Sequence, residues 1–399
     1  MAKERVVLAF SGGLDTSFCA KYLAQEKDLE VYAATVQTGG FSDEELAQIQ
    51  RRAKDVGCAD FIILDETQEF YQKCIRYLVY GNVLRNNTYP LSVSAERVFQ
   101  AMAVVKYARK IGAKYIAHGS TGAGNDQVRF DIVFQIMAPD IEIITPIRDL
   151  KLSRESEIEY LKKAGIQADW KKAKYSINQG LWGTSVGGVE TLTSDGILPE
   201  EAYPSQLEET NPIQITLHFE KGELVGLDNL RDEPVRMIRQ LHQVAKKYAI
   251  GRGVHVGDTI IGIKGRVGFE AAAPLIIIKA HHLLEKHTLT KWQMYWKDYI
   301  ANTYGMMLHE GQYLEPVMRS FEVFLESTQV YVSGSVKVKL APYFFEVLGC
   351  QSKHDLMSSR FGSYGEMNRT WSGEDVKGFT KILGNQTSIF YQVNGLVQK

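Results

Sequence analysis

Cysteine is scarce in this 399-residue chain, and the four present, Cys19, Cys58, Cys74 and Cys350, form no CxxC or Cys/His cluster. Their wide spacing argues against a structural zinc site or a disulfide framework and fits a reducing cytoplasm. Excess charge is lacking as well. With 46 Lys+Arg against 47 Asp+Glu, no net field draws the chain toward nucleic acid or an anionic membrane, and small-molecule partners are favoured. Long apolar runs are missing. The longest late stretch, residues 271–280, is broken by Pro274 and Lys279 and falls far short of the roughly 20 residues a bilayer span needs. Residues 6–10 are too few for a signal-peptide core, so no export is expected. Internal repeats, low-complexity segments and charge blocks are absent too.

What is present is ordinary globular usage, 45% hydrophobic and 23% charged residues with 34 glycines, in a chain long enough for two domains or one large one. Residues 1–168 alternate short β-branched runs with amphipathic stretches, the pattern of parallel strands joined by crossover helices. Strands are expected at 5–10, 30–36, 60–64, 114–117 and 141–145. Helices are expected at 16–25, 43–56, 67–80, 95–111 and 153–164, with Ser42 and Ser153 as N-caps. The fold class is α/β, with a Rossmann-like nucleotide-binding domain first. Residues 169–375 change rhythm to an α+β domain. It has a hairpin at 213–219 and 223–227 turning on Lys221-Gly222, helices at 235–248 and 291–308, and strands at 335–340 and 343–348. Residues 376–399 are expected to form a C-terminal arm.

The string Ala9-Phe10-Ser11-Gly12-Gly13-Leu14-Asp15-Thr16-Ser17 lies between the first strand and the first helix. Two glycines let the backbone bring its N–H groups close to an anion. Ser11, Thr16 and Ser17 add hydroxyls beside the positive end of the helix dipole, so the loop suits pyrophosphate. No lysine completes a GxxxxGK[ST] pattern, which favours cleavage between the α and β phosphates. The plain alternative is a strand-to-helix turn with Asp15 and Thr16 as caps.

A second glycine-rich loop, His118-Gly119-Ser120-Thr121-Gly122-Ala123-Gly124-Asn125-Asp126-Gln127-Val128-Arg129-Phe130, again follows a strand. At the carboxyl edge of a parallel sheet it would lie beside the first loop, where open α/β folds bind ligands. Its plain alternative is a solvated turn with Asp126 and Arg129 paired at i,i+3. His118 reads either as a base or as a structural histidine, and His281, His282 and His287 as packing or surface residues.

The first string resembles the PP-loop of ATP pyrophosphatases, and its form SGGLDTS, together with the second loop, resembles the argininosuccinate synthase family. That resemblance implies ATP contacts at Ala9 through Ser17, Val36 and Gly119, with Asp15 holding Mg²⁺ through the phosphates. It implies aspartate contacts at Thr121, Asn125 and Asp126. Citrulline contacts are implied at Tyr89, Ser94, Asn125, Arg129, Ser176 and Ser185. The implied reaction joins citrulline to aspartate through citrullyl-AMP, releasing AMP and pyrophosphate, in a cytoplasmic homotetramer with no nucleic-acid or membrane partner.

The chain also departs from the family. Residues 37–40, Gln-Thr-Gly-Gly, replace an acidic or amide residue, a branched residue, Gly and Gln, and Ala123 replaces a commonly basic residue. A glutamate and, twelve residues on, a tyrosine that the family presents to citrulline fall on Gly257 and Phe269. Asp258 reads either as restoring the carboxylate through a one-residue shift of the turn at 255–259, which puts it among the citrulline contacts, or as merely stabilising that turn. Competing readings are a PP-loop tRNA-modifying enzyme, lacking here a basic domain and a cysteine pair, and an amidotransferase-linked synthetase, lacking a glutaminase nucleophile. A non-catalytic nucleotide sensor is the third.

Overall fold

The computed structural model describes residues 3–396 except 167–169, 171–173, 359–361, 363 and 367–369. The expected boundary at 168–169 lies outside the described residues, as does the tip of the arm at 397–399.

Five apolar runs become strands β1 (Arg5–Ala9), β2 (Glu30–Gln37), β3 (Asp60–Asp65), β4 (Tyr115–Ala117) and β5 (Glu142–Ile144). They form one parallel sheet in the order β3-β2-β1-β4-β5. Val6 of β1 stands opposite Val31 on one side and Tyr115 on the other. Because successive side chains alternate, Val6 and Leu8 enter a core with Phe18 and Leu23, while Val7 enters another with Phe99 and Ile116. The central strand is therefore apolar on both faces, as a helix-covered parallel sheet requires. The chain leaves β1 toward β2 and later returns on the opposite side as β4. This reversal opens a crevice at the carboxyl ends of β1 and β4.

The helices Leu14–Gln25, Asp43–Asp55, Glu96–Ile111 and Arg154–Lys163 lie within two residues of expectation. Ser42 accepts from the Glu45 N–H at 3.2 Å while Glu45 accepts from the Ser42 N–H at 2.8 Å, a reciprocal capping box. Ser153 accepts from the Ser156 N–H at 3.2 Å. Two expectations need correction. Residues 67–80 are not one α-helix, because a π-helical turn at Tyr71–Ile75 separates Thr67–Phe70 from Arg76–Tyr80. The widened turn holds Tyr71, whose hydroxyl donates to Glu223 at 2.7 Å. The second glycine-rich string is also not all loop. It becomes a helix at Asp126–Met137, which buries Phe130, Val133 and Phe134.

The later part builds antiparallel sheets. Strands β6 (Ser176–Gly180), β7 (Gly183–Gly187), β11 (Arg252–Asp258) and β12 (Lys264–Glu270) form a sheet in the order β11-β12-β7-β6. Strands β8 (Ile213–Glu220), β9 (Glu223–Leu227), β10 (Leu230–Arg231), β13 (Gly334–Ala341) and β14 (Phe344–Gln351) form another, in the order β10-β9-β8-β13-β14. The β8–β9 hairpin turns on Lys221 (φ 47°) and Gly222 (φ 82°), the two left-handed residues that a tight hairpin favours. The run at 271–280 opens the buried helix Ala272–Thr288, whose Ile276, Ile277 and Ile278 join Val7 and Phe99 in one core. Residues through Lys353 thus form a single compact unit. From His354 onward a second unit contains helices Gly373–Leu383 and Asn385–Val393, which expose Phe379, Ile382, Ile389 and Phe390.

Candidate active site

The helix after β1 starts at Gly13 with extended backbone and no side-chain cap; Asp15 lies in its first turn instead of capping it. Ser11 Oγ stands 3.3 Å from Thr16 Oγ1 and 3.5 Å from the Gly13 nitrogen. The turn is therefore not closed in the way an ordinary capped turn would be. Its first N–H groups and the Ser11 and Thr16 hydroxyls gather at the positive end of a twelve-residue helix, which suits an anion.

Around this turn lies an open cleft of about 860 Å³. Its lining unites residues that are far apart in sequence. Ala9, Phe10, Ser11, Gly13, Leu14, Asp15 and Thr16 come from the first loop, and Val36 from the end of β2. Gly119, Thr121, Asn125, Asp126 and Arg129 come from the second loop and its helix, with Tyr89 and Ser94 from the preceding segment and Ser176 and Ser185 from β6 and β7. Gly12 and Ser17 are not on this lining. Gly12 takes φ +72°, and a Cβ there would stand 3.2 Å from Ile49, so it shapes the turn from behind. Ser17 is fully buried, with its hydroxyl unpartnered.

A chain of charges runs along the cleft. Arg97 donates to Asp126 at 3.0 Å and to Glu96 at 3.1 Å, and Arg129 donates to the other Asp126 oxygen at 2.9 Å. Burial raises the Asp126 carboxyl, but the two guanidiniums outweigh it and hold the group below the usual carboxylate range. Glu96 receives the Thr38 hydroxyl at 2.9 Å, yet burial pushes its carboxyl up to about 7. Beside the phosphate loop, burial and then the neighbouring Asp15 carboxylate push Glu157 up to about 8. Glu157 is thus protonated at pH 7.

His118 is buried and doubly engaged. The Ser120 N–H donates to its Nδ1 at 3.2 Å, which leaves the proton on Nε2 to donate to Asp131 at 3.0 Å. The first contact orients the second loop and the second ties His118 to the helix Asp126–Met137. His281 is likewise enclosed, between Asn82 and Gln329. Asn125 accepts the Ile260 N–H at 2.9 Å and ties the second loop to the turn between β11 and β12.

Asp258 departs from expectation. Its side chain is 67% exposed, bound to Lys264 at 2.6 Å, and absent from the cleft lining. As the last residue of β11, opposite Lys264 at the start of β12, it has regular strand pairing in place of the one-residue shift that would have turned it inward. Sequence reading missed Glu96, Arg97, His255 and His309, all of which line the cleft. A buried-charge signal was available at Glu96-Arg97, but nothing local marks His309, which lies 180 residues from the Arg129 it contacts. Among the described residues no group of three or more His, Cys, Asp or Glu is placed to hold a metal ion, and no helix is long and apolar enough to cross a membrane.

Fold and cleft together define an α/β enzyme that binds a nucleotide at the switch point of a parallel sheet. Residues 5–167 match the arginosuccinate synthase N-terminal HUP domain, and residues 175–390 match the arginosuccinate synthase C-terminal domain. The argininosuccinate synthase of Dictyoglomus thermophilum is 37% identical over 399 residues, covering 98% of each chain. That of Methanocaldococcus jannaschii is 34% identical, covering 97% of this chain and 98% of its own. That of Xanthomonas campestris is 34% identical, covering 99% of this chain and all of its own. The chain belongs to the argininosuccinate synthase family, whose members are ligases that condense citrulline with aspartate using ATP in arginine biosynthesis.

Proposed function

We propose that this cleft carries out that condensation with the following division of labour. ATP lies with its phosphates on residues 9–17 and Gly119, its adenosine side near Val36. Citrulline is held by Tyr89, Ser94, Asn125, Arg129, Ser176 and Ser185, and aspartate by Thr121, Asn125 and Asp126. The ureido oxygen attacks the α-phosphorus, the bond to the β-phosphate oxygen breaks, and citrullyl-AMP and pyrophosphate form. The aspartate amine then attacks the ureido carbon and AMP leaves. Alignment of three ligands and neutralisation of phosphate charge account for the catalysis, so no covalent enzyme intermediate is needed.

The observation that carries this reading is the uncapped helix start at Gly13 facing the same cleft as Arg129, Ser94 and Ser185. Asp15, on the cleft lining at the phosphate loop, would hold a magnesium ion borne on the ATP phosphates, which would supply positive charge to the leaving pyrophosphate. Cys19, Cys58 and Cys74, none of them in a disulfide, support a cytoplasmic location. The apolar residues exposed on the C-terminal helices support a homotetrameric arm at 376–399. Citrulline labelled with ¹⁸O in the ureido group tests the chemistry. The label is expected in AMP, and its retention in argininosuccinate or release to water contradicts attack by the ureido oxygen.

A further inference from the structure

One end of the cleft holds polar atoms that nothing in the protein satisfies. Ser94, His255 and His309 are each more than nine-tenths buried and line the cleft, and Ser94 Oγ, His255 Nδ1 and His309 Nε2 have no hydrogen-bond partner. Unpaired buried groups of this kind cost stability, and they mark the place where a ligand pairs them. Each ring is held in place. His255 stacks on Tyr89 with ring centres 5.1 Å apart, and His309 Nδ1 stands 3.4 Å from Arg129 Nη2. A guanidinium only donates, so His309 Nδ1 is the acceptor and its Nε2 carries the proton.

This end has no available negative charge. Of the carboxylates lining the cleft, Asp126 is bound by Arg97 and Arg129, Glu96 by Thr38 and Arg97, and Asp15 lies at the phosphate loop. Asp258 points away to Lys264. The strand position two residues past His255 offers no acid either. It is Gly257, and a Cβ there would stand 2.6 Å from His255 Nε2, because the imidazole already fills that space. Both rings are neutral near pH 7. Burial, followed by Arg85, lowers His255, and burial, followed by Arg129, pushes His309 down to about 3. A substrate carboxylate meets Arg129 here, whereas a substrate ammonium loses its water without gaining a counter-charge.

We propose that His255 is a specificity-determining residue that keeps this end of the cleft free of an acid, so that ureido acids lacking the α-ammonium are accepted about as well as citrulline. The proposal rests on the placement of citrulline beside Tyr89, Ser94 and Arg129. It deepens that placement by naming the substrate class as ureido carboxylates, with the amino group contributing little.

The test compares kcat/KM for citrulline and for its des-amino analogue, with ATP and aspartate saturating and pyrophosphate as the readout. An ammonium held by a carboxylate would favour citrulline by about one to two powers of ten. For this protein the preference is expected below about tenfold, and a larger preference overturns the proposal. In the double variant His255→Leu/Gly257→Glu, which frees the space and places an acid in it, the preference is expected to rise above about tenfold. A folded double variant with the wild-type preference removes His255 as the determinant. His255→Leu alone is expected to raise KM for both ureido substrates several-fold while KM for ATP and aspartate hold, and unchanged ureido KM values overturn the proposal. A strong preference for citrulline defeats only this inference, whereas pyrophosphate release that depends on no ureido acid defeats the underlying placement as well.

Discussion

Gly119 of the second loop packs against Thr16 of the first so closely that a Cβ at 119 would stand 3.3 Å from the Thr16 Cγ2 and from the Asp15 carbonyl carbon. This contact brings the two glycine-rich loops to one crevice. In Gly119→Ala the added methyl pushes against the first turn of the helix at Leu14, and the phosphate-facing N–H groups shift. KM for ATP is expected to rise by about tenfold while KM for aspartate changes little. Initial-rate kinetics with each substrate varied in turn check this, and an unchanged KM for ATP means the loops yield without disturbing the phosphates.

Asp15 lies on the cleft lining in the first glycine-rich loop, and in the proposed division of labour it acts on the phosphates or their metal rather than on citrulline. Asp15→Asn keeps the shape and removes the charge. Turnover is expected to fall by about 10²–10³-fold with the equilibrium affinity for citrulline nearly unchanged. Single-turnover rates and calorimetric titration separate the two, and wild-type turnover would take Asp15 out of the site.

Glu157 gives a pH-dependent prediction. Its carboxyl is raised from the usual 4.5 to about 8 in the folded protein by burial and Asp15. Below about pH 4.5 it is protonated in both folded and unfolded states and its stability contribution is complete. As pH rises from there to about 8, the unfolded chain ionises while the folded one resists, so folding loses that contribution. Glu157→Gln cannot ionise and escapes the loss. The melting temperature of the variant minus that of the wild type is expected to increase from pH 5 to pH 8, and a difference constant with pH would mean that Glu157 titrates normally.

Much of this arrangement was legible in the sequence, because strand periodicity and glycine strings are local signals. The strands around Val6, Val31 and Ile62 and the capping serines Ser42 and Ser153 appear as expected. What was not legible depends on distant chain segments. The helix at Asp126 is masked by a polar, glycine-rich lead-in, and its apolar pattern begins only at Phe130. His309 becomes a cleft residue only because the helix Lys291–His309 ends against Arg129. The choice between the two readings of Asp258 was not legible, because it depends on the regular pairing of β11 with β12 that directs it toward Lys264, and no sequence signal shows which face of a strand meets the cleft.

The placement of Asp258 makes a direct prediction. An exposed ion pair outside the cleft contributes little, so Asp258→Ala is expected to leave KM for citrulline within about twofold of wild type. A rise of ten times or more in that KM would show that the β11–β12 turn swings Asp258 onto the substrate.

The central claim is that one cleft unites a pyrophosphate loop with two amino-acid sites, and the dependence of pyrophosphate release on substrates tests it most directly. With ATP present, sustained release is expected when citrulline and aspartate are supplied together, with AMP and argininosuccinate formed in equal amounts and neither amino acid sufficient alone. Release of inorganic phosphate and ADP, or sustained pyrophosphate formation with no ureido acid supplied, would contradict the account.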